Sequence, residues 1–492
     1  MTLLLAVDQS TSATKALLFR PDGALVDSAS VEHQQHYPQP GWVEHDAEEI
    51  YTNTVTALRQ LLKQTGAPAT DIRCLSITNQ RETVVVFDRA TGRPLYRAMV
   101  WQCRRGDPIC QALNAAGHGD LVRDRTGLKI DTYFPASKLT WLLENEPHIA
   151  QQVQNGSALI GTIDAYLIYR LTGGRVFATD HTNASRTLLF NIHTLDWDAD
   201  LCALFGVPLH VLPEVRESSA HYGETDIEAT LPAAVPICGV MGDSQAALFA
   251  ERCFTPGSAK VTFGTGSSVL LNIGGTARPS SGGTVTTIGW VHQGQPVYAF
   301  EGIINVTGAT IAWLRDQLGL IESAGESEAL ARAVPDNGGV YLVPAFVGLS
   351  APYWRADARA AVVGLTLGST RQHLARAALE SIAYQVKDVL DAMAHDAGTA
   401  LSLVHANGGA VRNTFLMQFV ADITRLTVRA STLGELSALG AVFAGALGTG
   451  VYTSLADLER LALASADYQP VMDAAQAQNF YAGWQAAVQR VL

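Results

Sequence analysis

No Cys-x-x-Cys pair occurs in the 492 residues, and none of the six cysteines (Cys74, Cys103, Cys110, Cys202, Cys238, Cys253) has histidine partners at zinc-ligand spacing. The pattern points away from a zinc module and reads as reduced thiols in a cytoplasmic protein. Positive charge is scarce as well. Lys and Arg number 34 against 46 Asp and Glu, a formal charge of -12, and no basic run stands out. A broad nucleic-acid surface is thereby excluded, so any phosphate binding must be local. Long apolar runs are missing too. The N-terminal run lacks a basic flank and stops at Asp8, and the most apolar later stretch, residues 438–452, is studded with glycine and too short to span a bilayer. No low-complexity linker or polar tail interrupts the chain. What is present is a composition with 48% hydrophobic and only 16% charged residues, enough to bury large cores.

The stretch that organises the chain is residues 3–19. An apolar run ends at Asp8, a bend of small hydroxyl residues (Ser10, Thr11, Ser12) follows, and a second apolar run carrying Lys15 returns as the other arm of a hairpin. Such a bend lets backbone N–H groups and hydroxyls approach phosphate oxygens, Lys15 adds a cation, and Asp8 can hold a magnesium ion directly or through water. Residues 260–272 repeat the layout, with Gly264, Thr265, Gly266, Ser267 and Ser268 in and after the bend. A repeat near the midpoint implies two halves of similar design, each offering a phosphate loop to a shared cleft. The division is placed at 1–247 and 248–492.

Between these loops strands and helices alternate, as in an α/β fold. Asp46 and Glu49 have capping-box spacing ahead of a helix with Ile50, Ala57, Leu58, Leu61 and Leu62 on one face. Strands are expected at 24–31, 72–77, 84–87, 340–343 and 361–365, and helices at 138–144, 245–251, 310–318 and from His373 onward. Residues 159–171 read as a strand end running into a helix. Residues 235–243 form a second apolar run ending in an acid, Asp243. Gly308 opens a helix junction, and Gly408-Gly409 makes a turn without bulk, suited to a nucleotide approaching the backbone.

Several motifs then resemble the FGGY family of carbohydrate kinases, nearest its glycerol-phosphorylating branch. Two signature-like stretches are Tyr133-Phe134-Pro135-Ala136-Ser137-Lys138 with its continuation to Leu142, and residues 360–380. More selective are Gly41-Trp42-Val43-Glu44-His45-Asp46, Ile77-Thr78-Asn79-Gln80-Arg81-Glu82-Thr83, Trp101-Gln102-Cys103-Arg104-Arg105 and residues 182–191. The resemblance covers essentially the whole chain. It implies two ribonuclease-H-like, actin-like ATPase domains around a central cleft that binds ATP, Mg2+ and a small polyol, in a homodimer or homotetramer. By the same resemblance Asp243 is the catalytic base and, with Asp8, a metal ligand. Arg81, Glu82, Trp101 and Tyr133 hold the polyol, while Thr265, Gly308, Gly409 and Asn413 line the nucleotide site beside Ser10, Thr11, Ser12, Lys15 and Gly264.

The chain departs from the family pattern mainly in the pocket. Ser244 stands where the family usually has a longer amide, and Ser268 where it usually has an aromatic. Both changes enlarge and wet the site. Glycerol, giving sn-glycerol 3-phosphate, is the first expectation, with a four- or five-carbon polyol or ketose as the alternative. Lys15 replaces an arginine and loses its fork, Ser10 replaces a glycine, Asn407 and Arg355 replace aspartates, and Ala312 replaces a polar residue. Taken singly, Trp101 could be core and Arg81–Glu82 a surface ion pair. An actin-like or chaperone-like ATPase would explain the repeat but not this set of polar residues beside Asp243.

Overall fold

The computed structural model describes residues 2–492. The opening hairpin is β1 (Leu3–Gln9) and β2 (Ala13–Phe19), in register Val7 to Ala16 and Asp8 to Lys15. Both strands are almost wholly buried, which is why they read as continuous apolar runs rather than alternating ones. β3 (Leu25–Glu32), β4 (Ile72–Asn79), β5 (His221–Thr225) and β6 (Val235–Gly242) complete a sheet of order β5-β6-β4-β1-β2-β3. β1, β4 and β6 run parallel, so their C-terminal ends, with Asp8 and the residues just after Asn79 and Gly242, gather at one edge. That edge is where an open α/β sheet binds ligands.

The second half repeats the plan with β7 (Ser258–Phe263), β8 (Ser267–Gly274), β9 (Val285–His292), β10 (Gln295–Ile304), β11 (Leu403–Gly408), β12 (Val428–Ser431) and β13 (Ser465–Tyr468). Their order is β9-β10-β8-β7-β11-β12-β13, again an antiparallel hairpin beside parallel strands. Each half is a ribonuclease-H-like unit, and the expected two-domain α/β architecture is the one observed.

Helices stand near each expected position, and three longer ones beyond residue 397 stand where none was expected. Among the helices are α1 (Ala47–Thr65), α2 (Ile163–Leu171), α3 (Asp243–Ala250), α4 (Gly308–Asp316), α5 (Arg371–Ala397), α6 (Thr414–Thr424), α7 (Leu436–Gly448) and α8 (Ala474–Val488). The capping box expected at α1 is half present. Asp46 accepts from the backbone N–H groups of Glu48 and Glu49, but the Glu49 carboxylate turns away to the backbone N–H of Gln34.

α3 and α7 join the halves. α7, from the second half, lies on β1, β4 and β6 of the first sheet, while α3 packs toward β7, β8 and β9 of the second. Their crossing is tight enough that a Cβ on Gly440 would run into the carbonyl of Ala246. One hydrophobic cluster therefore draws Leu4, Leu17, Met241 and Phe249 together with Leu270, Trp290, Leu439 and Phe443. The division placed after residue 247 falls inside α3.

The stretch between β4 and β5 holds a smaller sheet, with Val84–Asp88 paired to Ala158–Thr162 and, through Val84, to Ala98–Met99. From this insertion Trp101, Lys129, Tyr133 and Phe134 line the cleft, and the helix Pro135–Asn145 packs behind the last two. No helix among the described residues is long and apolar enough to cross a membrane.

Candidate active site

Two cavities meet between the halves. One, of about 810 Å³, is lined by Arg81, Glu82, Trp101, Tyr133, Arg186, Asp243, Ser244, Ser268 and Glu301, among others. The other, of about 760 Å³, is lined by Asp8, Lys15, Asn407, Gly409 and residues 430–437. Thr262, near the end of β7, lines both, and its hydroxyl accepts a 2.9 Å hydrogen bond from the buried Lys260 ammonium. Burial, together with the nearby Arg81 cation, pushes Lys260 down to about 8.

The first cavity is polar at its floor. Arg81 stands two residues past the end of β4, and its Nε lies 3.2 Å from an Asp243 carboxylate oxygen. The same guanidinium donates to Glu301 at 2.7 Å and to Gln245 at 3.2 Å. Arg186 bridges Glu82 and Glu301, each at 2.6 Å. Glu82 holds this position with φ 61°, a left-handed conformation that glutamate seldom adopts. Asp243 opens α3, where the helix N-terminus favours a carboxylate. Its side chain is 42% exposed in this charged corner, so it remains open to a ligand.

Aromatic rings cover the other side. Trp101 and Tyr133 meet edge to face with centroids 5.5 Å apart. Burial, then the Glu82 carboxylate, pushes the Tyr133 hydroxyl far up, so it stays a neutral donor. The Trp101 indole donates to the Thr11 hydroxyl at 3.1 Å. Ser268 lies on the β8 wall with a buried hydroxyl that has no protein partner. Apolar ring faces, a guanidinium and carboxylates together suit the C–H edges and hydroxyls of a polyol.

The second cavity is built from backbone. Gly408 has φ 94°, and a Cβ there would collide with the Phe263 carbonyl, so only glycine lets β11 end against β7. Gly409 has open space where a Cβ would stand. Lys15 pairs with Glu435 at 2.6 Å across the halves. Asp8 is pushed up to about 7 by burial and then by the Glu435 and Asp243 carboxylates, with Lys15 only partly offsetting them.

Several residues expected at the nucleotide do not line the second cavity. Thr11, Gly264 and Thr265 line the first cavity. The bend turns Thr11 toward the indole of Trp101, and it is with that ring that its hydroxyl bonds. Ser10 spends its hydroxyl on the Ala13 carbonyl of its own turn, and Ser12 faces solvent. Asn413 caps α6 by accepting from the Leu416 N–H, and Gly308 donates its N–H to the Gly264 carbonyl behind the loop. Asn407 lines the second cavity and donates to Glu251 at 3.2 Å.

Sequence reasoning missed Thr262, Arg186, Glu301 and Glu435. One signal was present for Glu301, the sole charge in the run Val297 to Val306. Arg186 lies inside a quoted motif, but its partners are far away in sequence.

Comparison with known proteins agrees with this geometry. The N-terminal domain of the FGGY family of carbohydrate kinases matches residues 3–250, and its C-terminal domain matches residues 259–449. The glycerol kinase of Symbiobacterium thermophilum is 50% identical over 487 residues, covering 99% of this chain and 98% of that protein. The glycerol kinase of Stenotrophomonas maltophilia is 49% identical over 489 residues, with the same coverage. Among solved structures, Plasmodium falciparum glycerol kinase with ADP aligns over 100% of this chain and 98% of that one, at 36% identity and a TM-score of 0.95. With both family domains matched in order, two ribonuclease-H-like halves and a polar cleft between them, this chain belongs to the FGGY family of carbohydrate kinases.

Proposed function

We propose that the protein transfers the γ-phosphoryl group of ATP to a terminal hydroxyl of glycerol, giving sn-glycerol 3-phosphate and ADP. The carrying observation is that Asp243 and Arg81, 3.2 Å apart, floor one cavity while Asp8 and Lys15 line the adjoining one, with Thr262 on the wall of both. The names of the relatives that cover nearly its full length support glycerol over other polyols. Asp243 accepts the proton of the attacking hydroxyl as the new oxygen–phosphorus bond forms and the bond to the departing ADP oxygen breaks. Arg81 donates to, and Glu82 accepts from, the remaining hydroxyls, while Trp101 and Tyr133 cover the C–H edges. Leaving one of these buried partners unmatched costs about 1 to 3 kcal/mol, which sets selectivity against deoxy analogues.

Lys15, Gly409 and the two loops would receive the nucleotide phosphates. Asp8 fits magnesium with Asp243 beside it, since a buried carboxylate crowded by others favours a divalent counter-charge and magnesium needs few protein ligands beside phosphate oxygens. Bound there, the ion would neutralise charge on the transferring phosphoryl group. The same reading places the protein in the cytoplasm as a homo-oligomer of two-domain subunits divided within α3.

A four- or five-carbon polyol or ketose is the second reading. It is favoured by the unpartnered Ser268 hydroxyl in a cavity of about 810 Å³. Coupled ADP release with MgATP across glycerol, dihydroxyacetone, erythritol, the pentitols and the ketopentoses decides between them. The expected result is the highest kcat/KM for glycerol, and a larger best substrate overturns the glycerol assignment.

A further inference from the structure

Of the charged groups on the floor of the polyol cleft, Glu301 alone comes from the second half of the chain. It sits on β10 opposite Leu270 of β8, the arm that leaves the Gly264–Gly266 bend. Its neighbours in the strand are Phe300 and Gly302, and its side chain is 1% exposed. Each carboxylate oxygen meets a different guanidinium, Oε1 with Arg81 at 2.7 Å and Oε2 with Arg186 at 2.6 Å. Burial alone would push this carboxyl up, but Arg186 and Arg81 hold it down to about 2, so it is an anion at any working pH.

Arg81 is constrained from three sides. Glu301 takes Nη2, and Gln245 takes Nη1 with its own amide fixed by a 3.1 Å bond to the Thr287 hydroxyl. The aliphatic stem crosses Gly242, where a Cβ would stand 2.7 Å from Arg81 Cγ and Cδ. What remains is the Nε edge, which makes no hydrogen bond within the protein and lies 3.2 Å from Asp243. A buried ion network adds little net stability over apolar packing of the same volume, so its presence at this wall is better explained by what it orients.

We infer that Glu301 is a positioning residue for the polyol site, reaching from the nucleotide half to fix the Arg81 guanidinium toward Asp243 and the substrate hydroxyls, with Arg186 neutralising its second oxygen. The inference rests on the reading of Arg81 as a polyol ligand.

The test compares Arg81→Lys, Glu301→Gln and the double variant Glu301→Gln/Arg186→Gln, measuring KM and kcat for glycerol and for MgATP together with Tm. The double variant restores the net charge of the network, with Glu82 keeping Arg81 at 3.8 Å, and keeps the question open to measurement if Glu301→Gln folds poorly. Glu301→Gln is expected to raise KM for glycerol tenfold or more while KM for MgATP stays within twofold. In the double variant Tm recovers but KM for glycerol stays high. A KM for glycerol within twofold of wild type in both variants, or one restored along with Tm, overturns the inference and leaves Glu301 a purely structural partner. If Arg81→Lys raises KM for glycerol and Glu301→Gln does not, this inference alone fails. If Arg81→Lys also leaves KM unchanged, the polyol role of Arg81 fails and takes the inference with it.

Discussion

At the scale of single residues, the site depends on a few side chains whose atoms are individually committed. Asp243 has one carboxylate oxygen engaged by Arg81 and by the N–H of Ser244, with its exposed remainder facing the cleft. Asp243→Asn keeps the shape and the amide contact but cannot accept a proton. The expected outcome is a kcat lower by about 10² to 10⁴ fold at saturating glycerol and MgATP, measured by coupled ADP release. Ser268 poses the opposite case, a hydroxyl that nothing in the protein uses. Ser268→Phe fills the wall with an apolar ring, and kcat/KM for glycerol relative to a pentitol should rise about tenfold or more. A ratio that does not move would show that Ser268 has no part in selecting the polyol.

At the scale of elements, helix crossings hold the cleft in shape. Gly440 lets α7 lie directly against α3, and Gly440→Ala would force the two helices apart at the junction of the halves. Overpacking of this kind costs about 1 to 3 kcal/mol, to be read as a lower midpoint of denaturant unfolding. On the far side, Asp388 of α5 accepts from Tyr353, Tyr481 and Trp484 at 2.6 to 2.9 Å, tying α5 to α8 and to the segment that precedes α5. Burial pushes its carboxyl up from 3.8 to about 6. Between those values the folded protein holds a proton that the unfolded chain has released, so this group's contribution is largest below 3.8 and lost as pH rises through 6. From pH 4 to pH 7 the unfolding free energy of Asp388→Asn should therefore gain on wild type by about 2 kcal/mol. Of these elements α3 and α5 were legible from sequence, whereas α7 and α8 were not. Apolar runs and caps are local signals, which is why β1, β2, β7, β8 and α1 stand where periodicity placed them. Glu49 was misread because a carboxylate three residues into a helix can find another N–H, here that of Gln34. Arg186, Glu301 and Glu435 were illegible as site residues because their roles exist only once the sheets bring distant segments together.

At the scale of the whole molecule, the two halves touch across the polyol cleft as well as behind it. Lys129, from the first half, places its ammonium 3.0 Å from the ring centroid of Trp354, from the second, and the Trp354 indole donates to the Gly283 carbonyl at 2.6 Å. All three residues line the cavity, so the pair forms a clasp between its walls. A cation over an indole is attractive only while charged, and desolvation makes the attraction stronger than at an open surface. Burial pushes Lys129 down to about 8. The clasp is therefore charged below pH 8 and weakens as pH rises through that value. A closed cleft excludes water and commits the phosphoryl group to the polyol. Lys129→Met keeps the apolar stem and loses the charge, so the ratio of ADP released to polyol phosphate formed should rise several-fold above one. In wild type that ratio should climb between pH 7 and pH 9, whereas in the variant it should be high and flat. A ratio of one in both proteins across this range would mean that water is excluded by the rest of the cleft and that the clasp has no share in it.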